Sequence, residues 1–138
     1  MKMKIINPHD QSVVGELSVS TQQDVKKAVK KAKEAFGGWK DISVEKRVAY
    51  IKKFREKVAK NREKIAKLTT LEMGKPIQQS LDDVDGELLF LDYYIKNGAK
   101  FLADETVLKN DKEHFRVTYE PYGVCACVAP WNFPLSYG

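Results

Sequence analysis

Apolar residues recur every three or four positions over much of the first hundred residues of this chain. Over Val25–Phe36 this spacing places them on one face of an α-helix. Thr21 and Asp24 precede that stretch with a hydroxyl and a carboxylate three residues apart, which is typical of a helix N-terminus. The glycine pair at positions 37 and 38 predicts the end of this first helix.

Three further helices are predicted by the same spacing. Ser43 is expected to cap the second helix, and Asn61 is expected to cap or kink the third. Gly74 and Pro76 predict the end of the third helix, because glycine suits the position just past the last turn and proline stops the helix. The fourth helix is expected to run from residue 77 to about residue 98. The second helix is expected to bury an apolar stripe made of Val44, Val48, Ile51, Phe54 and Val58.

Short strands are predicted on either side of the helices. Lys4–Ile6 and Val13–Ser18 are expected to form a hairpin, because Asn7–Asp10 between them has strong turn chemistry. Thr106–Leu108 and Phe115–Tyr119 are expected to form a second hairpin, since a polar turn joins them.

Val124–Ala129 differs from the other strand candidates because it is almost entirely apolar. A half-buried strand would alternate with polar residues, so this pattern predicts a strand buried on both faces, as in a parallel sheet covered by helices. The fold class is therefore expected to be α/β. Cys125 and Cys127 are expected to be buried thiols on one face of that strand, and without a second ligand pair they predict no metal site.

A stiff loop, Pro130–Pro134, follows the apolar strand, at the kind of sheet edge where parallel sheets bind ligands. Such a loop would hold Asn132 with little freedom, and its side-chain amide would then be able to donate a hydrogen bond to a developing oxyanion. The residues alone leave a second interpretation open, a structural turn in which Asn132 acts only as a cap.

Composition narrows the possible functions. With 138 residues, 43% hydrophobic and 31% charged, the chain has the size and character of one folded domain rather than a disordered segment. No apolar stretch has the length of a membrane helix, and no signal sequence is recognisable, so a cytoplasmic protein is expected. Residues 26–64 contain fifteen basic and five acidic residues. They lie on amphipathic helices without aromatic interleaving, which favours a solvated lysine face over a nucleic-acid site.

A family resemblance brings these features together. Glu120–Val124 leading into Pro130–Pro134 resembles the corresponding stretch of NAD(P)-dependent aldehyde dehydrogenases, and the resemblance covers essentially the whole chain. Within that family, Glu72–Ile77 with Asp92-Tyr93-Tyr94 and Asn97 downstream most resembles the succinate-semialdehyde branch. Further similarities in order and spacing are Asn7-Pro8, Glu16, Thr21, the first helix, Trp39 and Leu71–Pro76.

The resemblance implies a role for several residues. Asn132 matches the asparagine whose amide helps to stabilise the hemithioacetal oxyanion. Residues 104–121 match a projecting hairpin through which subunits associate, which implies a homo-oligomer. The apolar strand matches the first strand of a Rossmann-like sheet. The positions that match those lining the cofactor, NAD or NADP, are Val128, Ala129, Pro130, Trp131 and Asn132.

Members of the family oxidise a small aldehyde through a cysteine thiolate, hydride transfer and hydrolysis by a glutamate base. The nucleophile, the base and the glycine-rich turn match no position here, and neither Cys125 nor Cys127 matches the nucleophile. Residues 1–138 are therefore expected to be a partial cofactor-binding domain, without the catalytic domain and inactive alone. The alternative is a non-catalytic interaction module that associates through its hairpin. No nucleic-acid or membrane partner is expected.

Overall fold

Four helices and two small hairpins make up a computed structural model that describes residues 1–136. The first hairpin precedes the helices and the second follows them. The elements in chain order are β1 (Lys2–Ile6), β2 (Val13–Ser18), α1 (Gln22–Lys40), α2 (Val44–Lys60), α3 (Arg62–Met73), α4 (Ile77–Phe101), β3 (Glu105–Lys109) and β4 (His114–Val117).

Both predicted hairpins are confirmed. β1 pairs antiparallel with β2, and a register irregularity falls between Ile5 and Ile6 just before the turn. β3 pairs antiparallel with β4 in the same way. In the first turn the buried Asn7 accepts the backbone N–H of His9 on its side-chain oxygen at 3.0 Å, which is the Asx geometry expected of a turn asparagine.

The predicted start of α1 is confirmed, but its predicted end is wrong. Thr21 Oγ1 accepts the backbone N–H of Asp24 at 3.2 Å, and the Asp24 carboxylate accepts the N–H of Thr21 at 2.9 Å. The helix then continues through both glycines to Lys40. A glycine costs a helix only about 1 kcal/mol relative to alanine. The Trp39 ring lies 5.5 Å from that of Tyr50, a contact that favours the extra turn.

The third helix ends as predicted, and the fourth continues further than predicted. Gly74 adopts the left-handed conformation with φ of 77° and donates its N–H to the carbonyl of Thr70. α4 continues past Gly98 to Phe101, whose ring lies 6.0 Å from that of Tyr93. Aromatic contact within the last turns again accompanies a glycine inside a helix.

The core lies where α2, α3 and α4 meet. Each helix contributes one buried apolar residue, namely Val58, Ala66 and Val84. The predicted buried stripe of α2 is therefore wrong in extent, because Ile51 and Phe54 remain 39% and 49% exposed. An apolar stripe is buried only where a second layer covers it.

Two bidentate ion pairs hold α4 against its neighbours. Arg55 on α2 donates both its hydrogen bonds to Asp92 at 2.9 Å, and Arg62 on α3 does the same to Asp85 at 2.5 Å. The hydrogen bonds from each arginine lower the pKa of the carboxylate that accepts them. The pairs therefore fix the rotation of α4 relative to α2 and α3.

The predicted strand Val124–Ala129 is not formed. Residues 119–129 have no strand partner within residues 1–136, Val128 is 90% exposed, and both cysteines are exposed rather than buried. A strand needs a neighbour whose backbone completes its hydrogen bonds, and within residues 1–136 neither hairpin pairs with this segment. The fold therefore contains helices and strands as predicted, but the first strand of the expected Rossmann-like sheet is absent from the described residues. No helix in that part of the chain is both long and apolar enough to cross a membrane.

Candidate functional site

Residues 130–136 form two successive turns, which we call the anchored loop. The N–H of Phe133 donates to the carbonyl of Pro130, and the N–H of Ser136 donates to the carbonyl of Phe133, both at 3.3 Å. These turns carry Asn132, the residue that the sequence singles out for chemistry. Its position therefore depends on what holds the loop.

Lys75 holds the middle of the anchored loop. Its Nζ donates to the backbone carbonyl of Asn132 at 3.1 Å, pairs with the carboxylate of Asp83, and lies 4.2 Å from the ring centroid of Phe133. The Lys75 side chain is only 11% exposed. An ammonium group at such a site is weakly screened by salt, so these contacts are stronger than ion pairs on the surface.

The end of the anchored loop is held by α4 and the core. The hydroxyl of Ser136 donates to the carboxylate of Glu87, and Leu135 packs against the core of Val58, Ala66 and Val84. The loop is thus attached at its middle to the connection between α3 and α4, and at its end to α4 and the core.

The Asn132 side chain is not used by these attachments. The residue is half-buried, and only its backbone carbonyl accepts a hydrogen bond from Lys75. Within residues 1–136 its side-chain amide makes no hydrogen bond, so both amide N–H groups are available to a ligand. The structure thus combines a fixed backbone with an unused donor at position 132.

The residues before Asn132 present an apolar surface. Val128 and Trp131 are 90% and 80% exposed, Ala129 is exposed, and Pro130 is half-buried. Exposed apolar groups beside an amide donor fit the flat and partly polar face of a nicotinamide ring. They fit only one wall of a dinucleotide site, because the chain has no G-x-G-x-x-G turn for the phosphates. Among the described residues, no group of three or more histidine, cysteine or acidic side chains is placed to hold a metal.

A groove of about 640 Å³ runs between α2, α4 and the anchored loop. It was not predicted, and two residues that line it, Phe54 and Val58, were expected in the buried stripe of α2. Its apolar lining residues include Phe54, Val58, Phe90, Leu91, Tyr94 and Phe133.

Sequence reasoning also missed Lys75 and Glu87. Lys75 falls in the connection between α3 and α4, and the only local signal is a single basic residue between a glycine and a proline. Its partner Asn132 is 57 residues away. Glu87 gives no signal of its own, since acidic residues are common on helix surfaces.

The sequence profile described as "Aldehyde dehydrogenase family" matches residues 1–137. The chain belongs to the aldehyde dehydrogenase family. The predicted family is therefore confirmed.

Curated relatives act, by their names, on different aldehydes. The probable methylmalonate-semialdehyde/malonate-semialdehyde dehydrogenase of Dictyostelium discoideum is 35% identical over 133 residues, which cover 96% of this chain and 25% of that protein. The mitochondrial succinate-semialdehyde dehydrogenase of Rattus norvegicus is 26% identical over 132 residues, with 96% and 25% covered. The chain thus spans about a quarter of the length of the curated relatives it matches.

Solved aldehyde dehydrogenases have the same fold over this length. The enzyme from Brucella melitensis biovar abortus 2308 superposes with a TM-score of 0.91 at 26% identity, covering 99% of this chain and 28% of that one. A betaine aldehyde dehydrogenase variant from Staphylococcus aureus, in complex with NAD+, gives 0.89 at 29% identity, with 97% and 27% covered. The predicted fold, the N-terminal part of an aldehyde dehydrogenase, is confirmed.

Proposed function

We propose that this chain is the N-terminal part of an enzyme that oxidises an aldehyde to a carboxylate with NAD or NADP. Membership of the aldehyde dehydrogenase family supports the reaction class. The observation that carries the assignment within the chain is the fixed backbone and unused side-chain amide of Asn132. Succinate semialdehyde is one candidate substrate, supported by the likeness to the Rattus norvegicus enzyme.

Asn132 is proposed to act as an oxyanion donor. When a thiolate adds to an aldehyde carbon, the carbonyl oxygen gains negative charge, and an amide N–H already pointing at that oxygen stabilises it. Because the backbone of Asn132 is held in advance, little reorganisation is needed as the charge develops. A donor of this kind contributes about 3–4 kcal/mol to the transition state.

Val128, Ala129, Pro130, Trp131 and Asn132 are proposed to form one wall of the cofactor site. Bound NAD or NADP would supply the hydride acceptor. The apolar side chains of this wall would exclude water from the reacting carbon, and Pro130 would limit the motion of the wall. A relative of known structure contains NAD+, which supports a nicotinamide cofactor.

The test is to replace Asn132 with alanine in the protein that carries residues 1–138. We expect kcat for aldehyde oxidation to fall by about 100- to 1000-fold, because one oxyanion donor is lost. Asn97→Ala, which removes a half-buried amide on α4 that donates to the carbonyl of Tyr93, serves as the matched control and should retain activity. The isolated 1–138 polypeptide should form no NAD(P)H. Wild-type kcat in Asn132→Ala would refute the proposed role.

A second proposal concerns residues 104–121 as a hairpin for association between copies of the chain. It is supported by apolar side chains on the hairpin that are exposed among the described residues, since Val107 is 65% and Phe115 53% exposed. The double variant Val107→Lys/Phe115→Lys should sediment as a smaller species. Leu17→Lys in the first hairpin, also at an exposed position, should not. Equal sedimentation of wild type and double variant would count against association through this hairpin and the interaction-module alternative.

A further inference from the structure

We infer that Lys75 is a positioning residue for Asn132, an inference that rests on the function proposed for Asn132. A positioning residue acts on the reaction only through another group. Lys75 meets that description because it touches the backbone of Asn132 and leaves the side-chain amide unused.

Lys75 restrains the anchored loop in more than one direction. The hydrogen bond to the carbonyl of Asn132 fixes one peptide plane, and the ammonium over the Phe133 ring fixes the next residue. The carboxylate of Asp83, on α4, pairs with the same ammonium group and holds it in place. Once the peptide plane is fixed, the direction of the Cα–Cβ bond of Asn132 is set, and only the choice among its side-chain rotamers is left.

The backbone around Lys75 is itself held in place. Gly74, before Lys75, is in the left-handed conformation, and Pro76, after it, has its own φ fixed at −54° by its ring. A Cβ added at Gly74 would lie 3.0 Å from Cγ of Pro8. The connection is therefore packed between the turn of the first hairpin and α4. A lysine on a mobile surface loop would move together with Asn132 and would not restrain it. The backbone of Lys75 is held on both sides, so its side chain restrains Asn132.

The loop has a second attachment that Lys75 does not control. Ser136 binds Glu87 and Leu135 packs on the core, so loss of Lys75 would loosen the middle of the loop while its end stays attached. The expected defect is a displacement of Asn132 rather than unfolding. A displacement of about 1 Å at a reacting group can cost about 100-fold in rate.

The first experiment measures the attachment without any catalysis. In the protein that carries residues 1–138, hydrogen exchange of the Phe133 and Ser136 amides is compared among wild type, Lys75→Met and Lys75→Arg. Lys75→Met should speed exchange of the Phe133 amide by about tenfold, and more than that of Ser136. Lys64→Met, at an exposed lysine of α3, is the matched control and should exchange like wild type. Unchanged exchange in Lys75→Met would overturn the inference.

The second experiment separates positioning from general stability. Lys75→Met should lower kcat by about 10- to 100-fold and change KM for the cofactor much less. Lys75→Arg should restore part of kcat, since it keeps a charged donor. The double variant Lys75→Met/Asn132→Ala should lose no more than Asn132→Ala alone, because both changes disable the same donor. Additive losses would assign Lys75 a merely structural role and overturn the inference.

Failure of this inference and failure of the proposed function give different results. Asn132→Ala leaves the backbone carbonyl in place, so exchange of the loop amides should stay at the wild-type rate in that variant. Wild-type kcat in Asn132→Ala with fast exchange in Lys75→Met would refute the function of Asn132 while supporting attachment of the loop by Lys75. Reduced kcat in Asn132→Ala with unchanged exchange in Lys75→Met would support the function of Asn132 and refute attachment of the loop by Lys75.

Discussion

Residues 119–129 and the anchored loop, residues 130–136, follow each other along the chain, but among residues 1–136 only the loop is hydrogen-bonded to α4 and the connection before it. The loop has two backbone turns, the contacts of Lys75 and the bond from Ser136 to Glu87. The preceding segment has no strand partner within residues 1–136 and exposes most of Val128. Both segments are rich in apolar residues, but only the loop combines hydrogen bonds with the packing of Leu135 against the core.

This difference shows that order depends on available partners rather than on hydrophobicity. A strand is completed only by another strand, because each backbone N–H and C=O needs a partner in the sheet. A short loop needs only a few side-chain contacts, and α4 with its preceding connection provides them. An apolar segment can therefore remain unpaired beside a loop that a few side-chain contacts hold in place.

The largest expected effect comes from breaking the connection that carries Lys75. Gly74→Ala places a Cβ in a left-handed conformation and 3.0 Å from Pro8. We expect the free energy of unfolding of residues 1–138 to fall by about 2 kcal/mol. Gly86→Ala is the matched control, because nothing lies within 4 Å of its added Cβ and the residue is inside α4. That change should raise stability by about 0.5–1 kcal/mol. Urea denaturation measures both, and equal effects would contradict the assignment.

A smaller effect tests the contrast between the two segments directly. Leu135→Ala should lower the free energy of unfolding by about 1 kcal/mol, because Leu135 packs partly buried against the core. Val128→Ala removes apolar atoms from a side chain that is 90% exposed, and should change stability by less than about 0.5 kcal/mol. If both variants lost the same stability, the loop would be no better attached than the segment before it.

The smallest effect is the pH dependence of the helix surface that receives the loop. The arginines lower the pKa values of Asp85 and Asp92 from the ordinary value of 3.8. Stability from a lowered carboxylate pKa is complete above the pKa of the unfolded chain and is lost as pH falls through the folded value. We therefore expect Tm to fall below about pH 4. The double variant Asp85→Asn/Asp92→Asn should flatten that fall, whereas Asp111→Asn in the second hairpin should leave it unchanged.

Local signals predicted much of the fold. The capping pair at Thr21, the glycine at position 74 and both hairpins needed only neighbouring residues to be recognised, and the structure confirms them. The end of α1 was wrong because a glycine only weakens a helix and does not stop it, and the ring of Trp39 in the last turn contacts Tyr50. Burial of the α2 stripe and of Val124–Ala129 was wrong because burial depends on layers that a sequence pattern does not place.

The candidate site was predicted only in part. Asn132 was singled out because a stiff loop with an amide is a local pattern, and its role remains a prediction. Its attachment was not predicted, because the ammonium group that holds it belongs to a residue 57 positions earlier. A pairing at that separation leaves no periodicity or spacing in the sequence.

The connection between α3 and α4 also sets an order of assembly. Pro8 meets Gly74, and Lys75 meets Asn132, so two adjacent residues join parts of the chain that lie far apart in sequence. Contacts of such long range form after the local ones, because the entropy of closing large loops must first be offset. During synthesis the helices that receive residue 132 leave the ribosome before that residue does. We therefore expect the placement of Asn132 to be a late step in folding.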